Sequence, residues 1–311
     1  MRQRMVPWPK RARRYLRYLA VRGAVALVGL LPVELASRLG AALGTLAFAV
    51  ARGERRKALA SLARAFPELP PAEREALGRR AFAHLGAAAC ELACVRQLDA
   101  HPEARVDWLP EDRAVLDRAL AAGKGVVFVT GHLGNWEVLA RRMTLAGYPV
   151  TAIGKEASDP RTTALVADLR QRGGVGVLWR GAPGAARQML KTLRGNGVLG
   201  ILIDQDTKVQ SVWAPFFGHL AKTPRAAADL VLRTGAVPVL GFALRTGRAR
   251  YRLEMREVPL PEGDGEAAVL DLTTRFNQGI EAFIRAHPEQ WVWMHQRWKS
   301  PPPEAAGPSG A

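Results

Sequence analysis

The chain has 311 residues, of which 48% are hydrophobic and 23% are charged. This composition is sufficient for a large buried core and excludes a chain that is disordered throughout. The formal net charge of +17, carried mostly by arginine, indicates anionic partners: nucleic acid, an acidic membrane face, or phosphorylated substrates and carriers.

The first fifty residues combine positive charge with apolar character. Seven basic side chains lie between positions 2 and 17, and apolar stretches follow at 19–33, interrupted by Arg22, and at 39–50. Neither stretch is an unbroken run of about twenty apolar residues, as a full membrane span requires. We predict that residues 1–52 form a membrane anchor or a pair of interfacial helices at the cytoplasmic face. Ordinary core helices are the alternative.

Residues 54–98 have the pattern of alanine-rich and arginine-rich helices. Cys90 and Cys94, the two cysteines of the chain, lie four residues apart and therefore share one helical face. Two thiols cannot form a disulfide framework or a zinc cluster. A reducing, cytoplasmic location fits this composition.

From residue 112 onward, helical and strand patterns alternate within a domain predicted at residues 53–300. This order predicts an α/β fold with a mostly parallel central sheet flanked by helices. Residues 248–258 suggest an antiparallel edge strand, and the tail at 301–311 is predicted to be disordered. The predicted helices are residues 112–122, 135–146, 160–172, 183–194, 224–233 and 266–286, and the predicted strands are residues 125–130, 149–153, 175–179, 198–203 and 237–244.

The segment GVVFVTGHLGNWE, at residues 125–137, carries the clearest chemical signal. His132 follows an apolar strand, and Glu137 falls in the first turn of the next helix. Ligands of open α/β sheets bind at the carboxyl ends of the strands. We predict that His132 is a general base and that Glu137 holds its tautomer and stabilises the imidazolium. A structural histidine beside a glutamate that complements the helix dipole is the alternative.

The segment contains no recognisable protein nucleophile on which this base could act. No G-x-S-x-G elbow occurs, and neither cysteine lies near the motif. The base would therefore deprotonate a hydroxyl of the substrate itself, and direct acyl transfer to that hydroxyl fits.

Polar residues also follow the strand at 198–203. Asp204 and Asp206 are open to three interpretations: a metal pair without an evident third ligand, a carboxylate that orients an active-site Arg or His, or the start of a turn. Aromatic and cationic residues in the following loop suit either a substrate with an apolar chain and a phosphate or simple packing. The substrate-binding candidates are Asn135, Arg180, Asp206, Phe217, Thr223 and Arg225.

The closing segment at 288–299 contains three tryptophans together with His295, Arg297 and Lys299. Aromatic rings beside cations suit nucleic-acid stacking. They equally suit cation–π packing against the rest of the protein, which is the interpretation we favour.

In their order along the chain, these motifs resemble those of the bacterial late acyltransferases of lipid A biosynthesis. The resemblance covers about residues 15–300. It rests on His-x4-Glu at 132–137, IDQD at 203–206, FFG at 216–218 followed by Thr223, the W-x-W-x-H-x-R-W-K ending, and FPE at 66–68.

The resemblance implies a glycerolipid-acyltransferase-like fold at the cytoplasmic face of the bacterial inner membrane. It implies transfer of a fatty acyl chain from acyl carrier protein, or acyl-CoA, to a hydroxyl of a glycolipid, most directly a lipid A precursor. His132 and Glu137 would be the catalytic pair, with Arg170 and Asp204 in support, and no metal or redox cofactor is expected. The GHLGNWE form also resembles relatives that acylate phosphatidylinositol mannosides, so the acceptor stays open.

Two other classes of function compete with this interpretation. A non-catalytic protein could bind nucleic acid or an anionic membrane through its arginines, but no recognised nucleic-acid motif occurs, and nucleic acid is not an expected partner. A lipid hydrolase would use water as the acceptor in place of a lipid hydroxyl.

Overall fold

The computed structural model describes residues 8–303. The basic residues at positions 2 and 4, and most of the tail predicted to be disordered, lie outside the described residues. The chain begins with helices, as its apolar and alanine-rich patterns predict. These are α1 (Trp8–Val28), α2 (Val33–Val50), α3 (Arg52–Ala65), α4 (Pro71–Ala93), α5 (Val95–Ala100) and α6 (Pro102–Arg105).

Strands and helices alternate along most of the remaining chain. The strands are β1 (Val106–Trp108), β2 (Val126–Thr130), β3 (Val150–Gly154), β4 (Gly176–Trp179), β5 (Val198–Leu202), β6 (Ser211–Phe216), β7 (His219–Pro224), β8 (Val237–Gly247) and β9 (Arg250–Glu257). The helices among them are α7 (Pro110–Ala121), α8 (Trp136–Leu145), α9 (Pro160–Arg172), α10 (Ala185–Arg194), α11 (Ala226–Thr234) and α12 (Gly265–Ala286).

Seven strands form one central sheet in the order β1-β9-β8-β2-β5-β3-β4. The five strands from β8 to β4 run parallel, whereas β9 is antiparallel to β8 and β1 is parallel to β9. The predicted fold class, α/β with a mostly parallel central sheet flanked by helices, is confirmed.

Two details of the predicted sheet are corrected by the structure. The antiparallel strand predicted at 248–258 exists, but it is not at the edge, because the three residues of β1 pair with it from Val106 to Trp108. A strand this short shows no recognisable alternation in sequence. The stretch predicted as a long loop before α11 contains the antiparallel hairpin β6–β7. Its tip, Phe217-Gly218, has φ values of 51° and 71°, as in a type I′ turn, where a phenylalanine is unusual.

The sheet is covered on both faces, which explains the unbroken apolar pattern of β2. Val127 and Val129 pack in one core cluster with residues of α11 and α12. Val126 and Phe128, which point to the opposite face, pack with residues of α7 and α8. The central strand is therefore rigidly held, and so is the turn that follows it.

Helices α2 and α4 approach each other closely through glycine. A Cβ atom added to Gly44 would lie 2.0 Å from the carbonyl oxygen of Phe82, and one added to Gly40 would lie 2.2 Å from that of Gly86. The two backbones are therefore in direct contact. Phe48 of α2 is also buried against Phe82, so one side of α2 belongs to the core.

The opposite side of α2, together with much of α1, exposes apolar side chains. Of the 18 large apolar side chains that are exposed within residues 8–303, 13 lie between Trp8 and Val50. By length and composition α2 could cross a membrane, and 33% of that helix is buried inside the structure. Such a concentration of exposed apolar surface is typical of an interaction surface.

Candidate active site

His132 lies just beyond the carboxyl end of β2, against the carboxylate of Asp204. The imidazole Nδ1–H donates to Asp204 Oδ1 at 2.8 Å, and the His132 backbone N–H donates to Oδ2 at 2.6 Å. The Trp291 indole N–H also donates to Oδ2, at 2.8 Å. A Cβ atom on Gly131 would lie 2.9 Å from Oδ2, so a residue larger than glycine would push the carboxylate away.

Asp204 is an ionised carboxylate in a buried position. Burial of its side chain acts to raise the pKa of the carboxyl. The hydrogen bonds from His132 and Trp291, with the attraction that a protonated His132 would exert, outweigh that effect and hold the pKa well below its usual range. A charged Asp204 fixes the proton of His132 on Nδ1, which leaves the lone pair of Nε2 for a substrate.

Glu137 does not contact His132 in this way; it pairs with Arg170 of α9. The Arg170 guanidinium donates through Nη2 to Glu137 Oε1 at 2.5 Å and through Nε to Oε2 at 3.0 Å. No hydrogen bond joins Glu137 to His132 among the described residues, and the tautomer-holding role predicted for Glu137 stays a prediction. Glu137 lies in the first turn of α8, and its side chain points towards α9, whereas Asp204 approaches His132 from the neighbouring strand.

Gln205 and His295 complete the surroundings of His132, and neither residue was among the predicted site residues. The Gln205 Nε2 atom lies 3.1 Å from His132 Nε2 and 2.5 Å from His295 Nδ1. The His132 ring also stands edge-on to Trp136, with 4.9 Å between centroids. Burial, followed by the charge of His132, lowers the pKa of His295 to about 4. Both residues lie in motifs that the sequence shows: Gln205 lies between the two aspartates, and His295 belongs to the closing segment.

A mostly apolar cavity lies beside the Glu137–Arg170 pair. It follows β2, β3, β5 and α8 from the carboxyl ends of the strands down to Val198. Thr130 Oγ1 and Arg170 Nη1 are buried without a hydrogen-bond partner among the described residues. The free space is about 30 Å³, roughly one water molecule's share of the liquid. Apolar residues of the lining include Phe128, Leu139, Met143, Val150, Val198 and Leu202.

Three of the substrate-binding candidates have buried structural contacts instead. Asn135 caps α8 by accepting from the Val138 N–H at 3.2 Å. Thr223 is fully buried, and its Oγ1 accepts from Asn277 and from Arg297. Phe217 is 5% exposed and packs in the core. These side chains shape the fold, and they leave little surface for a substrate.

The remaining three candidates occupy different places. Asp206 accepts from the Ser300 backbone N–H at 2.7 Å and so holds the C-terminal segment. Arg225 forms ion pairs with Asp229 and Glu266 on the surface beside α11 and α12. Arg180 follows β4 at the same sheet edge as His132, and it lies 3.4 Å from Thr207 Oγ1. Within residues 8–303, no group of three or more potential ligands could hold a metal ion.

Known proteins are similar to this chain over most of its length. A family model described as bacterial lipid A biosynthesis acyltransferase matches residues 8–300. A lipid A biosynthesis myristoyltransferase of Escherichia coli strain K12 is 28% identical over 287 residues, which cover 90% of this chain and 86% of the relative. A lipid A biosynthesis acyltransferase of Haemophilus influenzae is 24% identical over 275 residues, covering 87% and 83%.

Mycobacterial relatives match over a shorter stretch. A phosphatidylinositol mannoside acyltransferase of Mycobacterium tuberculosis strain CDC 1551 is 27% identical over 185 residues, 59% of this chain and 57% of the relative. The chain thus matches a little over half the length of that relative.

Proposed function

The chain belongs to the family of bacterial lipid A biosynthesis acyltransferases, and on that premise we propose that it transfers a fatty acyl chain to a hydroxyl of a membrane glycolipid. The observation that carries the proposal is the His132–Asp204 pair at the carboxyl edge of the sheet, together with an apolar cavity whose lining includes Trp136, the ring that packs against His132. In the proposed site Asp204 takes the orienting role that was predicted for Glu137.

In the proposed reaction, His132 Nε2 accepts the proton of the acceptor hydroxyl as its oxygen attacks the thioester carbonyl of the acyl donor. The carbon–sulfur bond of the tetrahedral intermediate then breaks, and the leaving thiolate takes the proton from the imidazolium. Because the Gln205 amide lies 3.1 Å from Nε2, it must move aside when the acceptor hydroxyl binds.

The Glu137–Arg170 pair would act at the entrance to the acyl site. Arg170 lines the apolar cavity and keeps a buried N–H that has no partner among the described residues. That N–H would donate to the thioester carbonyl or to the oxyanion that forms from it. The acyl chain would extend from there along β5, and the cavity must widen to receive it. Met143, a flexible side chain in the lining, suits such a change.

The site would open towards a membrane. The first turn of α9, which follows β3, brings Arg161 over the ring of Tyr15 in α1, 4.8 Å from its centroid, so α1 lies beside the carboxyl edge of the sheet. The exposed apolar side chains of α1 and α2 would enter the lipid interface, and the net positive charge would favour an anionic, cytoplasmic leaflet. A location at the bacterial inner membrane follows from this proposal.

A lipid A precursor is the acceptor we favour over a phosphatidylinositol mannoside. The support is the extent of the match, 90% of the chain for the Escherichia coli relative against 59% for the mycobacterial one. Acyl carrier protein is the proposed donor because an acidic carrier suits a chain of this charge; acyl-CoA is the alternative.

The test is a transfer assay with membranes that carry the protein. Acyl carrier protein donors of mixed chain length, and matched acyl-CoA donors, would be offered with a lipid A precursor and a phosphatidylinositol mannoside side by side. We expect one added acyl chain on the lipid A precursor by mass spectrometry, and its loss in His132→Ala. A product on the mannoside alone would change the acceptor, and no product on either would refute the proposed reaction.

A further inference from the structure

The backbone turn that carries His132 is held by a buried polar cluster that the reaction itself does not use. The cluster consists of His84 and Glu91 on α4 with Arg245 and Tyr251 on β8 and β9. Glu91 and Tyr251 have no exposed surface, and His84 is 6% exposed. Burying these polar groups is costly unless each finds a partner, so their arrangement needs a physical explanation.

Every member of the cluster has a partner. Arg245 donates to both oxygens of Glu91, through Nη1 to Oε1 at 2.5 Å and through Nη2 to Oε2 at 2.9 Å. The Tyr251 hydroxyl accepts from Arg245 Nη2 at 2.6 Å and donates to Glu91. Arg245 is therefore held in one orientation, with its Nε–H directed at Nδ1 of His84, 3.2 Å away.

The partners of His84 allow it only one protonation state. An arginine N–H can only donate, so Nδ1 must be the acceptor. The other ring nitrogen, Nε2, lies 3.1 Å from the carbonyl oxygen of Gly134, which can only accept, so Nε2 must carry the proton. Burial, together with the charge of Arg245, lowers the pKa of His84 to about 4, which agrees with a neutral ring.

Gly134 lies at the middle of the turn between His132 and α8. Its N–H donates to the Gln290 carbonyl at 3.1 Å, and the N–H of Asn135 donates to the Ala243 carbonyl at 2.9 Å. A Cβ on Gly134 would lie 2.0 Å from the Ala243 oxygen. His84 holds the Gly134 carbonyl, the one polar group of this peptide that those backbone bonds leave free.

We propose that His84 is a positioning residue for His132: its Nε2–H fixes the Gly134 carbonyl, and through it the orientation of the catalytic turn. The inference rests on the proposed function. Because His84 lies on α4, this helix would then help to position His132. Such positioning matters because misplacement of a reacting group by about 1 Å can reduce a rate on the order of 100-fold.

The test compares two nearly isosteric substitutions. Gln places an N–H close to the position of Nε2, whereas Met has the same reach and no donor. We expect His84→Met to lower kcat about 10-fold with KM for donor and acceptor within about 2-fold, and His84→Gln to recover kcat to within about 3-fold of the parent. His101→Met, at an exposed histidine, is the matched control and should match the parent.

Two results would overturn the inference: a folded His84→Met enzyme with the parent kcat, or His84→Gln impaired as strongly as His84→Met. If the Met variant does not fold, nitrogen-15 NMR of histidine-labelled parent decides, since a charged ring or an Nδ1–H tautomer for His84 at pH 7 would contradict the proposal. Parent protein that is inactive with every donor and acceptor refutes the proposed function instead, and the NMR result still tests the tautomer.

Discussion

Among single residues, the carboxylate that touches the imidazole determines what His132 can do. Asp204 accepts three N–H bonds, one from the ring of His132, one from its backbone and one from Trp291. An acceptor-only group at this place keeps the ring proton on Nδ1. Glu137 instead neutralises Arg170, so the two acidic residues contribute by different physical routes.

Asp204→Asn should lower kcat about 100-fold or more while the protein stays folded. The single amide oxygen would remain with the backbone and indole N–H donors, and the amide NH₂ would then face Nδ1. The ring would carry its proton on Nε2 and could not act as a base. Steady-state kinetics with a thermal unfolding control tests this, and a kcat within about 3-fold of the parent would contradict it.

Glu137→Gln serves as the comparison. It weakens the pairing with Arg170 and leaves the Asp204 bond intact, so we expect a loss of activity without a change of the His132 tautomer. Nitrogen-15 NMR distinguishes the two variants. A tautomer shift in Glu137→Gln would instead support the tautomer-holding role predicted for Glu137.

At the scale of helices and strands, direct backbone contacts at glycines determine how α2 packs against α4. Glycines bring the α2 backbone onto α4, and α4 carries His84 and Glu91 towards the turn that contains His132. The apolar helix that we expect to meet lipid is thus packed against the helix that contacts the turn after β2.

Gly44→Ala should destabilise the protein by about 1–3 kcal/mol, because the new Cβ would overlap the carbonyl of Phe82 and force α2 and α4 apart. A fall of the unfolding temperature by several degrees would be measured. Gly53→Ala on α3, where nothing lies within 4 Å of the added Cβ, is the control and should be neutral or slightly stabilising. Equal stability of the two variants would argue against the close helix contact.

Gly200 on β5 offers a test of the proposed acyl site. This residue lies halfway along the cavity, and an added Cβ would have its nearest atoms 3.8 Å away. Gly200→Leu should block the part of the cavity between Gly200 and Val198. Turnover of long-chain donors should therefore fall about 10-fold, while turnover of short-chain donors should change much less. Competition between donors of different length, read by mass spectrometry, measures this. An unchanged preference would place the acyl chain elsewhere.

For the molecule as a whole, the buried histidines make stability depend on pH. The pKa values of His84 and His295 are about 4 in the fold against 6.5 ordinarily. The unfolded chain therefore takes up protons first as the pH falls. Protonation of these two histidines therefore does not reduce the free energy of unfolding above pH 6.5. It reduces that free energy progressively from pH 6.5 down to about 4.

Between pH 7.5 and pH 5, each of these histidines should cost at most about 2 kcal/mol of unfolding free energy. The unfolding temperature should fall over this interval. His84→Gln should reduce the fall, because glutamine does not titrate, whereas His101→Met should not. A slope that is identical in all three proteins would mean that His84 is not buried in its neutral form.

Much of the architecture could be predicted because it follows from local patterns. The strand at 198–203 and the helix at 160–172 were recognised to within a residue, since apolar runs and helix boundaries are short-range signals. The hairpin β6–β7 was missed because Pro215 and the Phe217-Gly218 tip do not have the usual strand and turn residues.

By itself, the sequence determined the order of the elements, the α/β class and a histidine at the end of a buried strand. Tertiary structure alone decided which carboxylate contacts that histidine. In the parallel register of β2 and β5, Thr130 lies opposite Leu202, so the residues two positions further on, His132 and Asp204, meet. Glu137 is nearer in the sequence, but α8 directs it to Arg170. Spacing along a chain specifies local structure, whereas strand register brings distant side chains together.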